Sequence, residues 1–130
     1  MSKAKIKMKN SSIISQEIIE NKIYLIRGKK VMLDSDLAKL YEIETKAFNR
    51  AVKRNFERFP EEFMFQLSKE EYTSLRYQIG TLKRGQHSKF LPYVFTEYGV
   101  AMLSSVLNSK RAIQVNIQII KTFVRLLFLV

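Results

Sequence analysis

The sequence predicts an α+β fold: a small domain that contains a helix-turn-helix, short β-strands arranged around a hairpin, and a long apolar C-terminal helix. Three observations predict it. A short and a longer helical pattern follow one another across a three-residue turn at residues 34–53, brief strand-like runs lie between the helices, and residues 110–128 are apolar on two sides. The 130 residues suffice for one domain, and no repeat or Pro/Gly-rich linker divides them. The organisation expected is a basic arm over residues 1–20 and a folded domain over 21–130.

Lys3, Lys5, Lys7 and Lys9 give the arm its charge without an apolar run that would make it a secretory signal. A short apolar approach, Ile13 to Ile19, follows, and residues 22–33 read as two strands about a turn at Gly28-Lys29. Asp34 and Ser35 supply a start signal for the next helix, and Thr45 caps another that is expected to run until Pro60 forbids continuation. Residues 61–67 read as a strand, and Ser68 with Glu71 forms a capping box for a helix through about Tyr77. Phe59, Phe63 and Phe65 fall at buried offsets and are assigned to the core. Residues 92–95 form a last strand, and Thr96 caps a helix through Leu107 that turns Val100, Leu103, Val106 and Leu107 inward.

In the segment 34–53 two closely crossing helices need a small residue where they meet, and Ala38 meets that need. Leu37, Tyr41, Ile43, Phe48 and Ala51 occupy the flanking core offsets, while Glu42 stands in the turn where glycine is usual. On a helical wheel Phe48, Val52, Phe56 and Phe59 point one way and Lys46, Arg50, Lys53 and Arg54 the other, with Asn49 beside them. Thr45, Lys46, Asn49 and Arg50 then sit at the end that meets base edges in a recognition helix. Arginine pairs bidentately with guanine and asparagine with adenine, so these four are the candidate base contacts. Lys53, Arg54, Arg58, Arg76, Lys83, Arg84 and Lys89 are the candidate phosphate contacts, the last three on a Gly-containing basic loop able to lie along a duplex as a wing. Basic helix faces and loops often serve only solvent, and the helix and turn that precede this one favour binding.

Charge supports the same expectation. The chain carries 23 basic and 12 acidic residues, a net +11, and residues 72–130 contain Glu97 as their one acid. Such an excess calls for an anionic partner. The absence of cysteine and the single His87 remove disulfide scaffolds, Cys-based zinc sites and most triads, and point to a cytoplasmic protein without cofactor or metal. Glu61-Glu62 and Glu70-Glu71 are adjacent in sequence and so diverge in space; a non-enzymatic protein is expected. In the last helix Ile113, Ile117, Ile120, Val124 and Leu127 form one stripe and Val115, Ile119, Phe123 and Leu126 another. One stripe serves the domain; the other implies an interface with a second subunit, as in a homodimer, or with a further domain. Lys121 and Arg125 argue against a membrane span.

Four blocks carry a family resemblance: VMLDSDLAKLY (31–41), ETKAFNRAVKRNFERFPEEFMFQL (44–67), LPYVFTEYGVAMLSSVL (91–107) and RAIQVNIQIIKTFVRL (111–126). Over roughly residues 22–126 the chain resembles the phage and prophage domain family named for the N-terminal part of open reading frame six, related to KilA-N and Bro-N. The resemblance implies a small α+β domain that binds double-stranded DNA within a phage regulatory or antirepressor-like protein. It supplies no catalytic or metal residues. An antirepressor-like protein implies the alternative that the apolar C-terminal helix engages a repressor protein.

Overall fold

The computed structural model describes residues 14–80 and 90–127, and residues 1–13 of the expected arm and most of the 80–89 loop lie outside them. The elements run α1 (Gln16–Glu20), β1 (Tyr24–Ile26), β2 (Lys29–Leu33), α2 (Asp34–Tyr41), α3 (Thr45–Arg54), a 3-10 turn (Phe56–Arg58), β3 (Met64–Gln66), α4 (Lys69–Gln78), β4 (Tyr93–Phe95), α5 (Glu97–Leu107) and α6 (Lys110–Leu127). The α+β class is as the sequence predicts. The four strands form an antiparallel sheet in the order β1-β2-β4-β3.

Strand side chains alternate between faces, and this sheet is covered on both. Met32, Met64 and Phe95 join the main core with α2, α3, α5 and α6. Their neighbours Val31, Leu33, Phe65 and Val94 turn to a second core, closed by Leu75 of α4. The hairpin turn is Arg27-Gly28, one residue earlier than expected, because both residues adopt the positive φ that a two-residue hairpin loop requires. Arg27 then reaches over the Phe65 ring and pairs bidentately with Glu71, which also completes the capping box on Ser68. The expected 61–67 strand is restricted to Met64–Gln66, since Phe63 and Met64 donate backbone N–H groups to Pro60 in a turn.

Two boundaries differ from the sequence reading for identifiable reasons. Helix α3 stops at Arg54 because Asn55 leaves helical geometry and its side-chain amide donates to the Ala51 carbonyl. Phe56 is therefore rotated off the apolar face and is exposed, whereas Phe48, Val52 and Phe59 are buried. At the other end of the chain, residues 14–20 do not belong to the arm. Ile19 is fully buried in the main core, and the Ile14 N–H donates to Gln118 of α6.

The α5 N-terminus is fixed by a close backbone approach. Thr96 caps the helix by accepting from the Gly99 N–H, and its own hydroxyl donates to the Glu62 carbonyl. A Cβ on Gly99 would stand 2.1 Å from the Phe63 carbonyl oxygen. Glycine is required here for space. Gly99→Ala should lower the stability read by urea denaturation by at least about 1–3 kcal/mol, the usual scale of overpacking, while Ser104→Ala, which removes only a hydroxyl bonded to the Ala101 carbonyl of the same helix, should cost less.

Candidate nucleic-acid interface

Helices α2 and α3 meet across Glu42, Ile43 and Glu44, with Leu37, Ala38 and Tyr41 of the first buried against Phe48 and Val52 of the second. Tyr41 and Phe48 stack at 6.2 Å between centroids, and Phe48 meets Phe95 of the sheet edge-on at 5.4 Å. Ala38 is the small residue at the contact. Ile43 is more exposed than a core offset allows, because the turn carries it outward.

Glu42 occupies the turn position at φ 61° and ψ 42°, the left-handed region that glycine normally fills. The helix still ends correctly, since the Glu42 N–H donates to Lys39 and the Ile43 N–H to Ala38. A weak ion pair to Arg111, 3.5 Å away and solvent-exposed on the Glu42 side, does not offset the backbone strain. Glu42→Gly should therefore raise the unfolding free energy by about 0.5–1 kcal/mol, measured by urea titration.

The outer face of α3 is cationic. Lys46, Arg50, Lys53 and Arg54 are exposed and form no ion pair among the described residues. The first turn holds no acid, and Lys53 and Arg54 lie in the last turn where they oppose the helix dipole favourably. Ala47 is exposed within this face, a residue the wheel did not single out. It is the smallest side chain on that face, between Lys46 and Arg50. The exposed position of a small side chain between two cations was a readable signal.

Other expected contacts have different surroundings. Thr45 is the first residue of α3, half-buried, and Glu44 holds the N-cap position with no side-chain bond, so Thr45 is not the cap. Asn49 is half-buried and its amide donates to the Asp34 carboxylate at 3.1 Å. Arg58 lies in the 3-10 turn and donates to Ser105 of α5. Arg76 sits over the Tyr72 ring. Lys83, Arg84 and Lys89 lie outside the described residues.

Asp34 is the unexpected member of the site. It begins α2 rather than capping it, is 5% exposed, and accepts from Ser35 N, Asn49 Nδ2 and Tyr93 N. One carboxylate thus joins α2, α3 and β4. Burial pushes its pKa above the usual aspartate value despite these donors. An acid whose folded pKa is raised contributes most when protonated, and this contribution is lost as pH rises through the folded value. Wild-type stability should gain, relative to Asp34→Asn, as the pH falls from 7 toward 4. Urea titrations of both proteins across that range check this, and parallel curves would contradict it.

Together these features define an α+β domain that presents one cationic helix face from a doubly packed sheet. A family model for the ORF6N domain matches residues 21–106, and the chain belongs to that family. The match ends before α6, short of the fourth block of resemblance at 111–126. Searches of curated proteins and of solved structures gave no match. Among the described residues, no helix is long and apolar enough to cross a membrane.

Proposed function

We propose that this chain is a sequence-selective, double-stranded-DNA-binding module of a phage or mobile-element regulatory protein, non-enzymatic, with α2 and α3 acting as a helix-turn-helix. The observation that carries this reading is the cationic face of α3, formed by Lys46, Arg50, Lys53 and Arg54 without an ion pair among the described residues, on a helix whose opposite side is locked to the sheet. Membership in the ORF6N family is consistent with a regulatory role. The α3 N-terminus, with Lys46, Ala47 and Arg50, is the part suited to the major groove. Lys53 and Arg54 are suited to phosphates. Asn49 acts in this reading as the pin that fixes helix orientation through Asp34.

Mobility shifts on duplexes selected from a random library, repeated in rising salt, test the proposal. With roughly four to eight phosphates neutralised, affinity should fall steeply as salt rises. Arg50→Ala should relax base preference by about 1–3 kcal/mol at one position, and Lys53→Ala should weaken all duplexes alike and reduce the salt slope by about one. No shift with any duplex at low salt, or a response flat in salt, would sink the reading.

A further inference from the structure

Helix α6 buries one side only. Val115, Ile119 and Phe123 are at most 2% exposed, whereas Ile113, Ile117 and Val124 are 45%, 53% and 39% exposed. Ile120 is half-buried between the two sides, and the Leu127 side chain lies outside the described residues. From Ile113 through Ile117 and Ile120 to Val124 the steps are four, three and four residues. That interval keeps side chains in register with one facing helix; it is not the pattern of a scattered surface. Lys110 and Lys121 flank the stripe, exposed and without an ion-pair partner among the described residues. Arg125, also exposed, donates to the Gln16 amide oxygen and meets no carboxylate there. The sequence from residue 98 to 130 contains neither Asp nor Glu.

We infer that this stripe is a docking surface for an acidic amphipathic helix of another protein. The spacing demands a helix, and the cations beside it demand carboxylates next to that helix's apolar positions. A second copy of the chain fits less well: its own stripe brings Lys110, Lys121 and Arg125 against the same three cations, with no carboxylate in the segment. Duplex DNA supplies negative charge but no apolar face for Ile113 and Ile117. The surface uses none of the α3 side chains, and its test needs no DNA for its main result.

The test uses the full chain and two fluorescent synthetic peptides of 21 residues. Both carry Leu at alternating three- and four-residue steps; one has Glu at the flanking positions and the other Lys. Fluorescence anisotropy should show the Glu peptide binding at least about tenfold more tightly than the Lys peptide, a difference that electrostatic complementarity readily supplies. Ile117→Asp should abolish binding with an unchanged melting temperature, since Ile117 is about half exposed. Lys121→Glu provides a second variant that keeps the apolar stripe, and it should narrow the gap between the peptides. Equal binding of the two peptides, no binding of either, or an unaffected Ile117→Asp protein overturns the inference. So does a dimer mass by light scattering that Ile117→Asp converts to monomer, which gives the stripe to a second copy. Loss of duplex binding in the folded Ile117→Asp protein gives it to DNA, and also overturns the inference.

Discussion

Phe95 is the residue on which the arrangement of helices depends. It is fully buried on the central strand β4, between Met32 of β2 and Met64 of β3. Phe48 of α3 and Phe59 beyond the 3-10 turn both meet its ring edge-on, at 5.4 and 5.8 Å. Its ring also lies 3.3 Å from where a Gly99 Cβ would stand, which brings α5 into the same contact. Deleting a buried phenylalanine ring costs about 3–5 kcal/mol, several times what a surface ion pair contributes. The position of α3 is therefore decided on its inner side, by rings, and its outer side is released from any structural duty.

That release explains where the excess charge is found. The acids that pair lie elsewhere: Glu71 with Arg27, Asp36 with Lys22, and Glu42 with Arg111. Glu71 is held at a pKa of about 2 by the Arg27 guanidinium and the Ser68 N–H, so this pair stays ionised throughout the neutral range. Each of these pairs joins separate elements. Among the described residues the Lys and Arg side chains of α3 form no ion pair, and four such cations on one short helix repel one another at low ionic strength. A helix held by Phe48 and Val52 tolerates that repulsion; one dependent on surface pairing would not.

How much was legible in the sequence followed from the range of the interaction concerned. Caps at Ser68 and Thr96 were readable because their partners, Glu71 and Gly99, lie three residues on. The two sides of α3 and of α6 were readable as periodicity, with Phe48 and Val52 inside and Lys46, Arg50 and Lys53 outside. The wheel failed at Phe56 because it assumed a helix beyond Arg54, and the Asn55 side chain that ends it makes a local bond that periodicity does not register. The surroundings of Asn49 were illegible for a different reason. Its partner Asp34 is 15 residues away, and Asp34 also accepts from Tyr93, 59 residues away, so no window of sequence contains the triad. The same holds for Ile14 and Gln118, whose contact spans 104 residues and draws α1 into the core.

Burial of polar groups completes the division of labour between the two exposed faces. The Tyr41 hydroxyl donates to Asn116 Oδ1, and the Asn116 amide donates to the Val100 carbonyl. This chain of bonds ties α2 to α6 and α6 to α5 in the interior, where each unsatisfied partner would cost about 1–3 kcal/mol. Apolar packing alone would let α6 slide along its stripe of Val115, Ile119 and Phe123, because successive turns offer similar surfaces. The Asn116 bonds are directional and define a single register. With that register fixed, Ile113, Ile117 and Val124 must face outward together, just as the Phe48 contact forces Lys46, Arg50 and Lys53 outward together on α3. Two exposed faces of opposite character, one cationic and one apolar with a cationic rim, are thus consequences of what the interior holds in place.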